Sequence, residues 1–336
     1  MMPKPIGGFF ELELPPGPHR LHGQAREALS SGRACLMRLC QELRPTRVYL
    51  PFYVCDSVLM ALDAAATPYR FYGLTETLEL PELPRMAEGE YLLYINYFGL
   101  KDDYVATLQA HYAGRLWLDL TQAFYYVPRP EQWAFNSARK FFGVPDGAYL
   151  YGAGPTTPVG SPLVNKSIEI NHLLWRQLGR QQQAYAAFSA YEAGFSCEVS
   201  AMSDVSRTWL SWIDYPVVKA RRLANFARYH ELLGAYNEWQ LPQQPTGVPF
   251  CYPLRLPALF NRPLLFAQNI FVPALWREVQ TRAGHENYSW EVRLVDELLP
   301  LPVDHRYTPE DIDFVAAQVL SGLSPSAGLS ASQRLC

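Results

Sequence analysis

The stretch around Lys140 contains the residues whose types and spacing are best suited to chemistry. Ser137 lies three positions before this lysine, Asp119 lies twenty-one positions before it, and Gln122 follows the aspartate by three. A lysine amine can form an imine with an aldehyde, a carboxylate can keep a pyridine nitrogen protonated, and a serine hydroxyl can donate to a phosphate. Together these groups predict a binding site for pyridoxal 5′-phosphate.

Each of these residues also has an ordinary structural interpretation. Lys140 next to Arg139 is typical of a solvated basic pair, and Ser137 is typical of a turn. Asp119 is suited to capping a following helix, with Thr121 in its first turn, and capping is compatible with pyridine binding. The other four lysines occur in segments typical of ordinary surface: Lys4, Lys101, Lys166 and Lys219.

Composition limits the class of protein. The 336 residues are too many for one simple core and predict a large domain with a smaller one. A net charge of -3 gives no electrostatic reason to expect nucleic acid or an anionic membrane as a partner. We see neither a secretory signal nor a membrane-spanning apolar stretch, so a cytoplasmic location is expected.

The six cysteines do not have the spacing of a metal site. They form no C-x-x-C pair and are not joined by clustered histidines. The expected state is buried, reduced thiols, and no metal site is predicted.

The first half of the sequence alternates short apolar runs with segments of helical periodicity. This alternation predicts an α/β fold with a mainly parallel sheet and right-handed crossovers. In such sheets ligands bind at the carboxyl ends of the strands, where Asp119 is expected. The predicted strands cover residues 47–51, 69–72, 91–98, 114–119 and 148–151, and the predicted helices cover 31–43, 54–65 and 102–113.

The second half predicts helices at residues 165–192 and 205–238, followed by a turn-rich linker at 241–249. A strand at 250–256 and a final helix from Thr308, capped by that threonine, come after the linker. We therefore predict a large domain over residues 1–240, of which the first 20 residues are candidates to pack on the small domain. A small C-terminal α+β domain is expected over 241–323, with a disordered tail over 324–336.

The sequence resembles the DegT/DnrJ/StrS aminotransferases, which have the three-layer fold of the aspartate aminotransferase group. Ser-Gly-Arg-Ala at 31–34 resembles the family's Ser-Gly-Thr-Ala helix start, and Asp-Leu-Thr-Gln at 119–122 resembles its Asp-Ala-Ala-Gln. The other matching segments follow in family order at residues 50–53, 96–99, 140 with 145–148, and 299–303 with 307–311. Each segment is weak alone, and the ordered set is specific.

The resemblance implies a role for each candidate residue. Lys140 would bond the cofactor and later carry a proton, Asp119 would face the pyridine nitrogen, and Gln122 would lie near the ring. Tyr53 would stack on the ring. The phosphate would be held by the Ser137 side chain and, at the start of a helix, by the backbone N–H groups of Gly32, Arg33 and Ala34.

The sequence also departs from the family pattern. Phe135 stands where the sugar aminotransferases commonly have their phosphate-binding serine, five residues before the lysine. Val205 stands two residues before Arg207, where the family places an asparagine that reaches the partner subunit's phosphate. Arg33 replaces a threonine and adds a charge near the expected phosphate position. The segment from 165 to 192 does not reproduce the one that usually lines the nucleotide-sugar pocket.

Three functions remain open from the sequence. The first is an aminotransferase that moves an amino group from an amino acid donor, glutamate being the expected one, to a keto-sugar or related ketone. The second is another pyridoxal-phosphate reaction, such as an elimination or a decarboxylation. The third is a non-catalytic relative that binds the cofactor for regulation or assembly. The resemblance implies a homodimer, and aromatic residues between 88 and 135 are attributable either to its interface or to the core.

Overall fold

A computed structural model of the protein describes residues 15–153 and 168–323. The described strands are β1 (Glu27–Leu29), β2 (Arg47–Pro51), β3 (Tyr69–Tyr72), β4 (Glu90–Ile95), β5 (Leu116–Asp119), β6 (Trp133–Phe135), β7 (Ala148–Tyr151), β8 (Cys251–Arg255) and β9 (Leu298–Pro302). The described helices are α1 (Gly32–Leu43), α2 (Asp56–Ala64), α3 (Asp102–Tyr112), α4 (Asn171–Gln177), α5 (Gln181–Ala193), α6 (Asp204–Ser211), α7 (Tyr215–Leu233), α8 (Pro263–Phe266), α9 (Ser289–Glu297) and α10 (Pro309–Leu323).

The larger sheet has the strand order β1-β7-β6-β5-β4-β2-β3. Strands β2 to β6 pair in parallel, whereas β7 is antiparallel to β6 and β1 is antiparallel to β7. The predicted, mainly parallel α/β sheet is therefore confirmed. Asp119, the last residue of β5, pairs with Ile95 on one side and with Phe135 on the other. This register places it at the central carboxyl edge of the sheet.

The observed elements differ from the predicted ones at several places. Strands β1 and β6 were not predicted, because three residues are too few to show a two-residue period. The predicted strand at 91–98 ends at Ile95, and Phe98 has a φ of 59° in the turn that follows. Where one helix was predicted up to residue 192, the described part contains α4 and α5, separated by a turn at Gly179.

The described residues form three hydrophobic cores. One packs α6 and α7 against the segment after β6, with Phe124, Phe142 and Leu210 among its members, and the other two each surround one sheet. The larger of these two cores surrounds the seven-stranded sheet, and the smaller one surrounds the antiparallel pair β8–β9. Phe226, Tyr229 and Leu233 of α7 belong to the smaller core, although they precede the predicted domain boundary at residue 241. Near the chain start, the backbone N–H groups of Gly17 and His19 donate hydrogen bonds to Ser211 at the end of α6. Residues 1–14 of the segment that is predicted to pack on the small domain lie outside the described residues.

The aromatic residues between 88 and 135 lie mainly in the larger core, so the core explanation is the one that the structure supports. Trp117 and Tyr94 are fully buried in this core, and Phe124 is fully buried in the core shared by α6 and α7. The described cysteines are free thiols; Cys35, Cys40 and Cys251 are buried as expected, and Cys55 and Cys197 are partly exposed.

The C-terminal helix α10 begins as predicted. The Thr308 hydroxyl accepts a hydrogen bond from the Asp311 N–H, and the Asp311 carboxylate accepts one from the Thr308 N–H. The predicted disordered tail from residue 324 lies outside the described residues. Within the described ranges, no helix has the length and apolar character needed to cross a bilayer.

Substitution of Gly99 tests whether the turn that follows β4 requires a glycine. The φ of Gly99 is +69°, and a Cβ atom there would lie 2.6 Å from the Val248 carbonyl oxygen. We expect Gly99→Ala to lower the free energy of unfolding by about 1–3 kcal/mol, because a side chain is strained at this φ and meets rigid backbone. The change is measured by urea denaturation. Gly114→Ala is the control, since a Cβ there has nothing within 4 Å, and it should change stability by less than about 0.5 kcal/mol.

Candidate active site

The start of α1 provides two backbone donors that no described residue uses. Ser31 caps this helix, and its hydroxyl accepts a hydrogen bond from the Ala34 N–H at 3.1 Å. Within the described part of the chain, the N–H groups of Gly32 and Arg33 have no acceptor. Free N–H groups at a helix start attract anions, since the helix dipole adds to their positive charge.

Asp119 is buried at the edge of the sheet and is 3% exposed. Its Oδ1 atom accepts a hydrogen bond from the Thr121 N–H at 2.8 Å. Burial raises the pKa of this carboxyl group, while the charge of Lys140 and the hydrogen bonding to Thr121 act in the opposite direction. Asp119 therefore caps the following turn with one oxygen, as the ordinary interpretation expects, and still faces a cationic neighbour.

Lys140 ends the single-turn 3₁₀ helix Ala138–Lys140, which the Ala138 N–H anchors to the Gly147 carbonyl at 2.9 Å. The lysine side chain is exposed, and its Nζ lies 3.4 Å from the Thr121 hydroxyl oxygen. Thr121 thus contacts both Asp119 and Lys140, and it connects the two residues on which the sequence analysis depends.

A cavity of about 120 Å³ brings most of the predicted residues together. Five residues predicted from sequence line it: Gly32, Arg33, Asp119, Ser137 and Lys140. The other lining residues are Ser31, Leu36, Cys55, Ser57, Val58, Thr121, Phe135, Arg139 and Glu192. The Ser137 hydroxyl makes no capping hydrogen bond within the described part of the chain, so it is suited to binding a ligand. Amine, carboxylate, hydroxyl and free backbone donors therefore converge on one space.

Three predicted residues lie away from this cavity lining. The Ala34 N–H is occupied by the Ser31 hydroxyl. The Gln122 side chain is buried, and its Oε1 accepts a hydrogen bond from the Phe98 N–H at 2.9 Å. Tyr53 is fully buried, and its ring packs against Tyr97 and Trp276. Cys55, two positions further along, is the residue of this loop that reaches the cavity.

Sequence reasoning missed Glu192, Arg139 and Thr121 as parts of the site. Glu192 lies at the end of α5, fifty-two positions from Lys140, and no motif connects the two. Its carboxylate forms an ion pair with Arg139 and lies 3.9 Å from Arg33. The ordinary alternative for Arg139 and Lys140 was a solvated basic pair, but the Arg139 side chain is only 14% exposed. Thr121 lies inside the Asp-Leu-Thr-Gln motif, and its place between the two candidates Asp119 and Gln122 could have indicated that it belongs to the site.

A larger cavity, of about 580 Å³, begins on the other side of Lys140 and Arg139, which line both spaces. Its walls carry a net positive charge because Arg176, Arg222 and Arg306 also line it. The lining includes one carboxylate, that of Asp304, which forms an ion pair with Arg306. Arg222 is 1% exposed and donates to backbone carbonyls of Pro249, Phe250 and Phe141 rather than to a carboxylate. Burial lowers the pKa of Arg222 to about 10. Lys140 thus lies between a small cavity and a larger one with room for a substrate.

No family model matches the sequence, and no curated protein matches it either. Solved structures do match. A putative sugar aminotransferase, Spr1654 from Streptococcus pneumoniae in its PLP form, has a TM-score of 0.64 and 12% identity, with 90% of each chain covered. The aminotransferase TlmJ from Streptoalloteichus hindustanus has a TM-score of 0.62 and 16% identity, with 91% of this chain and 92% of that one covered.

The sugar aminotransferase CalS13 from Micromonospora echinospora is a third match, with a TM-score of 0.61 and 15% identity over 88% of this chain and 87% of that one. Identity this low shows that the fold is shared. The three-layer fold of the pyridoxal-phosphate transferases, predicted from the sequence, is therefore confirmed.

The buried Asp119 carboxyl group predicts a specific pH dependence of stability. Its folded pKa is raised, so its contribution to the free energy of unfolding is greatest below its unfolded-state pKa of about 4 and falls as pH rises through the folded pKa. Asp119→Asn cannot titrate. We therefore expect the stability of the cofactor-free wild type, relative to this variant, to decrease between pH 4 and pH 8 in urea denaturation. A difference that stays constant over this range contradicts the assignment of a raised pKa.

Proposed function

We propose that the protein is a pyridoxal-phosphate-dependent aminotransferase of the DegT/DnrJ/StrS type that moves an amino group from an amino acid to a keto-sugar or related ketone. The observation that carries this proposal is the shared cavity of Lys140, Asp119 and the free N–H groups at the start of α1. These groups match three chemically distinct parts of one cofactor: the reactive amine suits its aldehyde, the buried carboxylate its ring nitrogen, and the anion-binding helix start its phosphate.

The residues present fit pyridoxal 5′-phosphate. Gly32 and Arg33 offer unused backbone donors and Ser137 an unused hydroxyl, which together suit a phosphate. Asp119 is almost fully buried, and its one hydrogen bond to a described backbone N–H leaves capacity for a protonated ring nitrogen. Lys140 would bond to the aldehyde carbon. When bound, the cofactor supplies an electron-withdrawing ring that stabilises the charge left when a proton leaves the donor carbon.

The chain's own residues perform the remaining chemistry. Lys140 lines both cavities, and its amine, when neutral, can accept the proton from the donor carbon and later donate it to another carbon atom. The Thr121 hydroxyl accepts a hydrogen bond from Nζ and so orients the amine. Asp119 lines the smaller cavity and is almost fully buried, and the exclusion of water strengthens the attraction of its ionised form for a cation.

Two observations support a sugar-like acceptor over the other reactions that the sequence left open. The printed names of Spr1654 and CalS13 describe sugar aminotransferases, and both share the fold over most of their length. The larger cavity beside Lys140 has the size of a small-molecule site and polar, cationic walls. Retention of both Lys140 and Asp119 on one cavity favours catalysis over a purely binding role.

Covalent trapping tests the proposal directly. The purified protein is incubated with pyridoxal 5′-phosphate and reduced with borohydride, and the modified peptide is then located by mass spectrometry. We expect the added mass on Lys140 and its loss in Lys140→Ala. Lys219→Ala is the matched control, because Lys219 is an exposed lysine on α7 and its removal should leave the trapping unchanged.

Glutamate separates transamination from the other pyridoxal-phosphate reactions. With the loaded protein, we expect 2-oxoglutarate to appear in a single turnover, and the Asp119→Asn variant to form it at least ~100-fold more slowly because the ring nitrogen loses its carboxylate partner. Release of carbon dioxide or ammonia without the keto acid would point to decarboxylation or elimination. Trapping at Lys140 with no reaction of any amino acid would favour the non-catalytic role.

The assembly is proposed to be a homodimer. The α4 and α5 helices pack on each other and present four large apolar side chains that are 43% to 68% exposed: Leu174, Leu178, Tyr185 and Phe188. An exposed apolar group of this size is typical of an interaction surface. It lies beside the larger cavity, which His172 and Phe188 help to line, so a second subunit there would border the site.

Sedimentation velocity tests this assembly. We expect a mass near twice 38.2 kDa for the wild type and a shift toward the monomer for the double variant Leu178→Lys/Tyr185→Lys, since two charges would have to be buried. Phe314→Lys is the control, because Phe314 is similarly exposed but lies on α10. A monomeric wild type contradicts the dimer, and a dimeric double variant contradicts this surface as its interface.

A further inference from the structure

Arg33, Arg139 and Glu192 form an ionic cluster on one wall of the smaller cavity. Glu192 forms an ion pair with Arg139, and its other oxygen lies 3.9 Å from the Arg33 guanidinium. Both guanidinium groups also lie over the Phe195 ring, at 5.3 Å for Arg33 and 4.5 Å for Arg139. The two arginine side chains are only 11% and 14% exposed, so packing fixes where their charges lie.

The cluster has an excess of positive charge and of hydrogen-bond donors. Two guanidinium groups carry two charges and ten N–H donors between them, against one carboxylate. Arg33 uses one donor on the Phe195 carbonyl at 3.1 Å. The Arg139 Nε atom is buried and has no acceptor among residues 15–153 and 168–323. Burying donors and charge without matching acceptors is costly, and such a cluster is therefore suited to an anion that supplies several oxygens.

The position of the cluster identifies the kind of anion. Arg33 lines the same cavity as Gly32 and Ser137 and has an unused backbone N–H among the described residues. Its guanidinium lies beside Glu192, which lines that cavity as well. A phosphate monoester has three terminal oxygens and close to two negative charges at neutral pH. It can accept hydrogen bonds from the helix start and from a planar guanidinium together, whereas a single carboxylate has only two oxygens.

We propose that Arg33 and Arg139, positioned by Glu192, recognise the phosphate of the cofactor from within one chain and select the phosphorylated cofactor over its unphosphorylated form. This inference rests on the proposed function, because the phosphate belongs to pyridoxal 5′-phosphate. Glu192 holds the two guanidinium groups at the cavity wall before the ligand arrives. The phosphate then accepts hydrogen bonds from the guanidinium N–H groups that do not donate to the Glu192 carboxylate.

Binding of two ligands that differ only in the phosphate tests the inference without an activity assay. Cofactor-free protein is titrated with pyridoxal 5′-phosphate and with pyridoxal, and the ratio of the two dissociation constants is measured by absorbance. We expect Arg33→Thr and Arg139→Gln each to reduce the preference for the phosphorylated ligand by ~10- to 100-fold, the usual range for a charge-assisted hydrogen bond. Pyridoxal affinity should hardly change.

Further variants distinguish recognition of the phosphate by these arginines from a purely structural role. Arg33→Lys keeps the charge but not the planar donor fork and should retain an intermediate preference. Arg129→Thr is the control, since Arg129 is 76% exposed and does not line the cavity, and it should leave the ratio unchanged. Inorganic phosphate should compete with pyridoxal 5′-phosphate in the wild type and compete several-fold less well in Arg33→Thr.

The outcomes separate this inference from the proposed function. If Arg33→Thr weakens both ligands equally or only lowers the melting temperature, the cluster is a structural brace and the inference is overturned. If the ratio is unchanged while borohydride still traps the cofactor on Lys140, the inference alone fails. If the wild type binds neither ligand and traps nothing on Lys140, the proposed function fails as well.

Discussion

The arrangement of the site depends on the burial of the Asp119 carboxyl group. A carboxylate that is 3% exposed destabilises the fold unless donors and a positive charge compensate for lost hydration. The Thr121 N–H supplies the donor, and Lys140 supplies the charge from the turn after β6. Because β5 and β6 are adjacent parallel strands, their carboxyl ends place both residues at one edge of the sheet.

The same edge explains why two cavities meet at Lys140. The smaller cavity lies between the carboxyl ends of the strands and the start of α1, whose unused N–H groups and neighbouring arginines attract an anion. The larger cavity extends toward α7 and the turn before α10, and its described lining has more cationic side chains than carboxylates, since Asp304 is the one acidic residue in it. A lysine at the junction can act on a molecule in either space, an arrangement that suits transfer of a group between a bound cofactor and a substrate.

Prediction from sequence succeeded where the signal was local. The helix at 31–43, the strand at 47–51 and the cap at Thr308 depend on periodicity and nearby hydrogen bonds, and each is observed. The five predicted residues that reach the cavity were found from their types and chain order. Tyr53 and Gln122 had suitable types as well, but their side chains turn into the core and toward the Phe98 backbone. The direction of a side chain depends on packing that a motif does not encode.

The sequence by itself determined the alternation of strands and helices, and with it the parallel sheet whose carboxyl edge carries Asp119 and Lys140. Backbone hydrogen bonding and hydrophobic periodicity act over a few residues, so that information is present in the order of the chain. Only the tertiary structure decided that Glu192 reaches Arg33 and Arg139, that the Ala34 N–H is already occupied and that Arg222 faces a cationic cavity. Those relations depend on packing between segments far apart in the chain, which local sequence patterns do not specify.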